Sequence, residues 1–145
     1  MYQHILLATE LTEKSQHIED RAAAIQKMTG AKFSIIHINE FALPITPFGE
    51  VAIQYNYGET QELLTNTAKE GLAKLQKRLA IPDAVLVVKE GSISGEIVDY
   101  AVEKSIDLIV TGSHGRHGIK MLLGSTANAI LHHAKCDVLA VRIKD

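Results

Sequence analysis

Strand and helix patterns alternate along all 145 residues, which predicts an α/β protein built on a parallel, doubly wound sheet. Two further observations support that class. The strand segments are apolar on both faces, as strands covered by helices on each side must be. The helical segments end on breakers, Gly30 and Pro82.

"HILLATE" (His4 to Glu10) predicts the first strand. Ile18, Ala22, Ile25 and Met28 recur at helical spacing and predict a helix that Gly30 closes. "KFSIIHI" (Lys32 to Ile38) predicts the second strand. Phe41 to Gly58 follows neither period; it reads as a surface loop, with a lid or partner contact as the alternative. Leu64, Ala68, Leu72, Leu75 and Leu79 mark a longer helix. "AVLVVKE" (Ala84 to Glu90) predicts the third strand, after which Ser94 and Glu96 open a helix through Ile97, Ala101 and Val102. "IDLIVTG" (Ile106 to Gly112) predicts the fourth strand, Ser125 to His133 the last helix, and "DVLAVRI" (Asp137 to Ile143) the fifth strand. A single domain over 1–145 is expected.

The composition narrows the function. With 46% hydrophobic and 22% charged residues the chain is globular in type. A net charge of −2 provides no general attraction for nucleic acid or anionic membrane, and 5% aromatic residues without Trp offer no stacking platform. The single cysteine, Cys136, excludes an internal disulfide. The apolar run at the N-terminus is too short for a signal peptide or a membrane span, so a cytoplasmic location is expected.

One segment departs from the acidic average. From Leu108 to Cys136 there is no Asp or Glu, in a chain holding 17 of them. The segment carries Arg116, Lys120, Lys135 and four histidines, together with Gly112, Gly115, Gly118 and Gly124. It runs from the end of an apolar strand to the start of a helix. In open parallel sheets ligands bind beyond the carboxyl ends of the strands, and a helix N-terminus favours phosphate. A glycine-rich loop whose helix is capped by Ser125 is the plainer reading of the same residues.

"ILLATE", "GSHGRHGIKMLLGST" and "CDVLAVRI" resemble the universal stress protein family, in the right order and over the whole chain. The resemblance implies a Rossmann-like (HUP-type) three-layer sandwich with a five-stranded parallel sheet of order 3-2-1-4-5. It also implies a stress-response module that is usually a homodimer, some members of which bind ATP. Adenine-nucleotide residues carried over by position are Ala8, Glu10, Ile38, Gly112, Gly115, Arg116, Gly124, Ser125 and Thr126. The implied cofactor is ATP, with Mg²⁺, or AMP.

Two departures stand out. Nucleotide-binding members place nine residues between the second glycine and the final Gly-Ser/Thr pair, whereas Arg116 to Leu123 is one fewer. Glu10 stands where those members have aspartate, one methylene longer. Both predict weak or altered binding.

Other chemistries are disfavoured. His114 and His117 in a glycine loop, and adjacent His132 and His133, do not converge as metal ligands. "GSISG" has Ile93 where a nucleophile elbow needs serine, and no Walker lysine follows the glycines. A non-enzymatic regulatory role is expected, a slow ATP-dependent hydrolase or phosphotransferase being the alternative. In the implied strand order "DVLAVRI" is an edge, so Val138, Leu139, Ala140, Val141, Arg142 and Ile143 are expected at a homodimer interface.

Overall fold

The computed structural model describes residues 1–40, 57–113 and 123–143. Five strands, β1 (His4–Ala8), β2 (Lys32–Glu40), β3 (Val85–Gly91), β4 (Leu108–Gly112) and β5 (Asp137–Val141), form one parallel sheet in the order β3-β2-β1-β4-β5. Four helices connect them: α1 (Gln16–Thr29), α2 (Tyr57–Leu79), α3 (Ile93–Glu103) and α4 (Ser125–His133). A 3-10 turn, Glu13–Ser15, leads into α1.

The period-2 alternation of the strands divides the core between the two faces of the sheet. Ile5, Leu7, Phe33, Ile35 and Val110 pack with Ile18, Ala22, Leu72 and Leu75 on the α1/α2 face. Leu6, Ala8, Ile36, Ile38 and Ile109 pack with Ile97, Tyr100, Ala101 and Ile130 on the other. A fully buried Leu or Ile side chain contributes roughly 1.5–3 kcal/mol, so both layers stabilise the sheet.

Three local expectations are corrected. Helix α2 begins at Tyr57, so residues 57 and 58 belong to it; residues 41–56 of the predicted irregular segment lie outside the described ones. Met28 is 76% exposed, and Leu64 and Val102 are also exposed, because each falls off the buried face of its helix. The cap of α3 is Ser92, not Ser94. Gly91, at φ +137°, turns the chain out of β3, which leaves Ser92 extended and able to accept from the Gly95 N–H.

The amino ends of the strands are tied together. Asp107 accepts from the Gln3 and His4 amides at 2.7 and 3.0 Å, and the Tyr2 hydroxyl donates to Asp137 at 2.9 Å. The carboxyl ends are left to form a site.

Candidate functional site

From β1 the chain builds outward to β2 and β3, then returns to lay β4 and β5 on the other side. The sheet order therefore reverses between β1 and β4, and neighbouring connections diverge at their carboxyl ends. A cavity of about 470 Å³ lies there. Small residues open it: Ala8 ends β1, Gly112 ends β4, and Ala127 sits in the first turn of α4. Ile36, Ile38, Ile93 and Ile143 make its walls apolar, while Glu10, Lys14 and His37 supply charge and polarity.

The turn from β1 to α1 is rigidly built. The Thr9 amide donates to the Ile36 carbonyl at 3.1 Å. Its hydroxyl donates to Glu19 Oε2 at 2.7 Å and accepts from the Leu11 amide at 3.0 Å. Its carbonyl lies 2.9 Å from His37 Nδ1; a carbonyl only accepts, so that nitrogen carries the proton. Leu11 adopts φ +59° within this frame. Glu19, only 4% exposed, is paired with Arg78 Nη2 at 2.8 Å, and Arg78 also reaches Asp20. Burial works against the Arg78 guanidinium, but Asp20 and Glu19 more than offset it and hold its pKa above the ordinary value. Thr12 and Ser15 close the 3-10 turn with hydroxyls 3.1 Å apart.

On the opposite wall Ser113 donates its amide to the Val141 carbonyl at 2.8 Å and accepts the Gly124 amide at 2.7 Å. The exit of β4 and the entry of α4 are thus pinned together. Gly124, extended at φ −60° and ψ 153°, is the N-cap of α4 and provides no side-chain acceptor. The expectation that Ser125 caps this helix is corrected: Ser125 is its first helical residue.

Of the residues carried over by position, Ala8, Glu10, Ile38, Gly112 and Thr126 line the cavity. Gly124 and Ser125 open α4 beside it but are not among its lining residues. Gly115 and Arg116 lie outside the described residues, as do His114 and His117. Lys14, His37 and Thr111 also line the cavity and were not singled out from sequence. For His37 and Thr111 the available signal was a polar residue near the carboxyl end of an apolar strand, as in "SIIHI" and "LIVTG"; Lys14, in the 3-10 turn, had none.

Strand β5 is at the sheet edge, as the expected order requires. Val138, Leu139, Ala140 and Ile143 are half-buried and Arg142 is exposed, but Val141 is already buried in its own protomer. Burial pushes the neighbouring Cys136 thiol pKa up, away from thiolate reactivity. Among the described residues no group of three or more His, Cys, Asp or Glu side chains could hold a metal, and no helix is long and apolar enough to cross a membrane.

The sheet order, with a crevice at its switch point, defines a Rossmann-like α/β domain. Solved structures share that fold. Universal stress protein UspA from Lactobacillus plantarum superposes with a TM-score of 0.78 at 24% identity, covering 99% of this chain and 98% of that one. A universal stress protein in complex with cAMP superposes at 0.68 and 23% identity, with 99% and 98% covered. The chain belongs to the universal stress protein family, whose model matches residues 1–142. Its relatives include universal stress protein A homologs 1 and 2 of Coxiella burnetii, 38% and 37% identical over 144 residues. These alignments cover 99% of this chain and 99% and 97% of the relatives.

Proposed function

We propose that this chain is a non-enzymatic, cytoplasmic stress-response module that binds an adenine nucleotide in the β1/β4 crevice and acts as a homodimer paired through β5. The observation that carries the reading is the coincidence of cavity and motif. A 470 Å³ space, within the usual range of about 300–1,000 Å³ for small-molecule sites, is lined by Ala8, Glu10, Ile38, Gly112 and Thr126. Ile38 and Ala8 offer apolar surface to a base, and Glu10 a carboxylate for an amino or ribose hydroxyl group. A related structure is a complex with cAMP, which shares the adenine and the ribose.

The glycine stretch supports a weak site. One residue fewer between Gly115 and Gly124 shifts the remaining amides relative to a phosphate chain. Each lost amide–phosphate contact costs ~1.5–3 kcal/mol, about ten- to a hundredfold in affinity. Calorimetric titration with ATP and Mg²⁺, AMP and cAMP is the test. Binding in the micromolar range or weaker, without Mg²⁺-dependent turnover, is the expected result. Sub-micromolar ATP binding overturns the altered loop, steady release of ADP overturns the non-enzymatic role, and no binding of any of the three overturns the nucleotide reading.

A further inference from the structure

Leu11, one residue beyond Glu10, sits at φ +59°, a left-handed conformation unfavourable for a residue with a Cβ. Such a conformation persists only where its surroundings over-determine it. Here two contacts with α2 do so. The Leu11 amide donates to the Thr9 hydroxyl, which in turn donates to Glu19 Oε2. The other oxygen, Oε1, takes Arg78 Nη2 at 2.8 Å, so both oxygens of this buried carboxylate are engaged. The Leu11 side chain lies against Gly71, where an added Cβ would come 3.1 Å from Leu11 Cδ1.

Gly71 and Arg78 are about two turns of α2 apart and share one face of that helix, roughly 10 Å from one another along its axis. The helix therefore grips the β1–α1 turn at two points. A cleft of about 290 Å³ is lined by Leu11, Glu19, Gly71 and Arg78. The turn is thus not packed continuously on α2, and these contacts are what fix it. Its other side is the crevice, which Ala8, Thr9, Glu10 and Thr12 line. A shift of the turn moves that whole wall.

We propose that Arg78 is a positioning residue of the crevice: through Glu19 and Thr9 it holds the β1–α1 turn, and with it Glu10, in the form that receives ligand. This rests on the nucleotide reading above and adds to it a control exerted from α2, on the other side of the turn. By reciprocity, a ligand in the crevice tightens the hold of the turn on α2. The test is AMP binding by calorimetry in wild type, Arg78→Met, Thr9→Val, Thr9→Ser, the Arg78→Met/Thr9→Val double variant and Gly30→Ala. AMP affinity should fall about tenfold in Arg78→Met and in Thr9→Val, and return to within about threefold of wild type in Thr9→Ser. The double variant should bind no more weakly than the poorer single, because both changes cut one chain of contacts. Gly30→Ala, destabilised away from the turn, should bind AMP as wild type does. An unchanged AMP constant in Arg78→Met overturns the assignment and leaves the nucleotide reading standing. Additive losses in the double variant, or an equal loss in Gly30→Ala, also overturn it, the first because Arg78 then acts apart from Thr9, the second because stability alone is being read. Should Arg78→Met not fold, Thr9→Val cuts the same chain without stranding a charge, and an unchanged constant there is equally fatal. Failure of wild type to bind AMP, cAMP or ATP removes the nucleotide reading and this assignment together.

Discussion

Glu19 is a carboxylate inside a hydrophobic layer, held there by one arginine and one threonine. Removing Arg78 would strand that charge. Arg78 is itself 39% exposed, so water moderates the loss, and Arg78→Ala should cost ~1–3 kcal/mol. A lower urea midpoint with an unchanged m-value is the expected reading. The same change should weaken crevice ligands, because Glu19 holds Thr9 and thereby the β1–α1 turn. His4 makes a second prediction at this scale. Its ring is half-buried against Ser34, and burial lowers its pKa below the ordinary 6.5. The unfolded chain therefore takes up a proton that the folded chain resists. This contribution to stability is fully present above pH 6.5 and is lost as the pH falls through that value and below. His4→Gln should flatten the decline in urea midpoint between about pH 7.5 and 5.5. An equally steep decline in the variant would show that other groups carry it.

At the level of elements, two glycines sit at positive φ for different reasons. Gly30 ends α1 in the left-handed region at +69°, where an added Cβ would meet nothing within 4 Å. Gly91 turns β3 into α3 at +137°, where a Cβ would come 3.2 Å from Glu96 Oε1. Gly30→Ala should cost about 1 kcal/mol and Gly91→Ala about 1–3 kcal/mol, read as an ordered pair of melting temperatures. Gly30 was legible as a helix terminator because that role is local. So were all five strands, because each carries a largely apolar run, although only β1, β2 and β4 are buried along most of their length and the edge strands β3 and β5 are mostly half-buried or exposed. Gly71 carried no such signal. It lies within the unbroken α2 where the helix passes close to the β1–α1 turn: a Cβ there would come 3.1 Å from Leu11 Cδ1. The cap of α3 was misplaced by two residues because "GSISG" holds two serines, and only the backbone turn at Gly91 chooses between them. Within the site, Glu10, Ile38 and Gly112 were legible by position in a motif. Thr111 and His37 were not, because a polar residue within a strand declares itself only when its neighbours in the fold are known.

At the scale of the molecule, the proposed homodimer rests on the backbone of β5. The Val141 carbonyl accepts from Ser113 and so faces β4. In a parallel ladder alternate residues point their backbone groups to opposite sides, so Ala140 and Arg142 turn theirs outward. Ala140→Pro therefore removes an outward N–H and spares the bonds to β4, whereas proline at Leu139 would cut the sheet itself. If the homodimer forms through this edge, Ala140→Pro should elute as monomer, and its melting temperature should no longer rise with protein concentration. A wild type that light scattering finds monomeric at micromolar concentration would sink the edge pairing. Val141→Asp is a poor probe, because Val141 belongs to the protomer core.

The sheet order also sets a timetable for synthesis. β1 is made first yet ends at the centre of the sheet, with β2 on one side and β4 on the other. Its first neighbour follows within a few dozen residues, but Ile5 pairs with Leu108, so the other edge waits for about a hundred more residues to be translated. At roughly 5–20 residues per second that wait lasts on the order of 5–20 s. Throughout it, Ile5, Leu6 and Leu7 present an unpaired apolar edge on an emerging chain. The strand that anchors the finished protein is the one longest in need of shelter while the protein is being made.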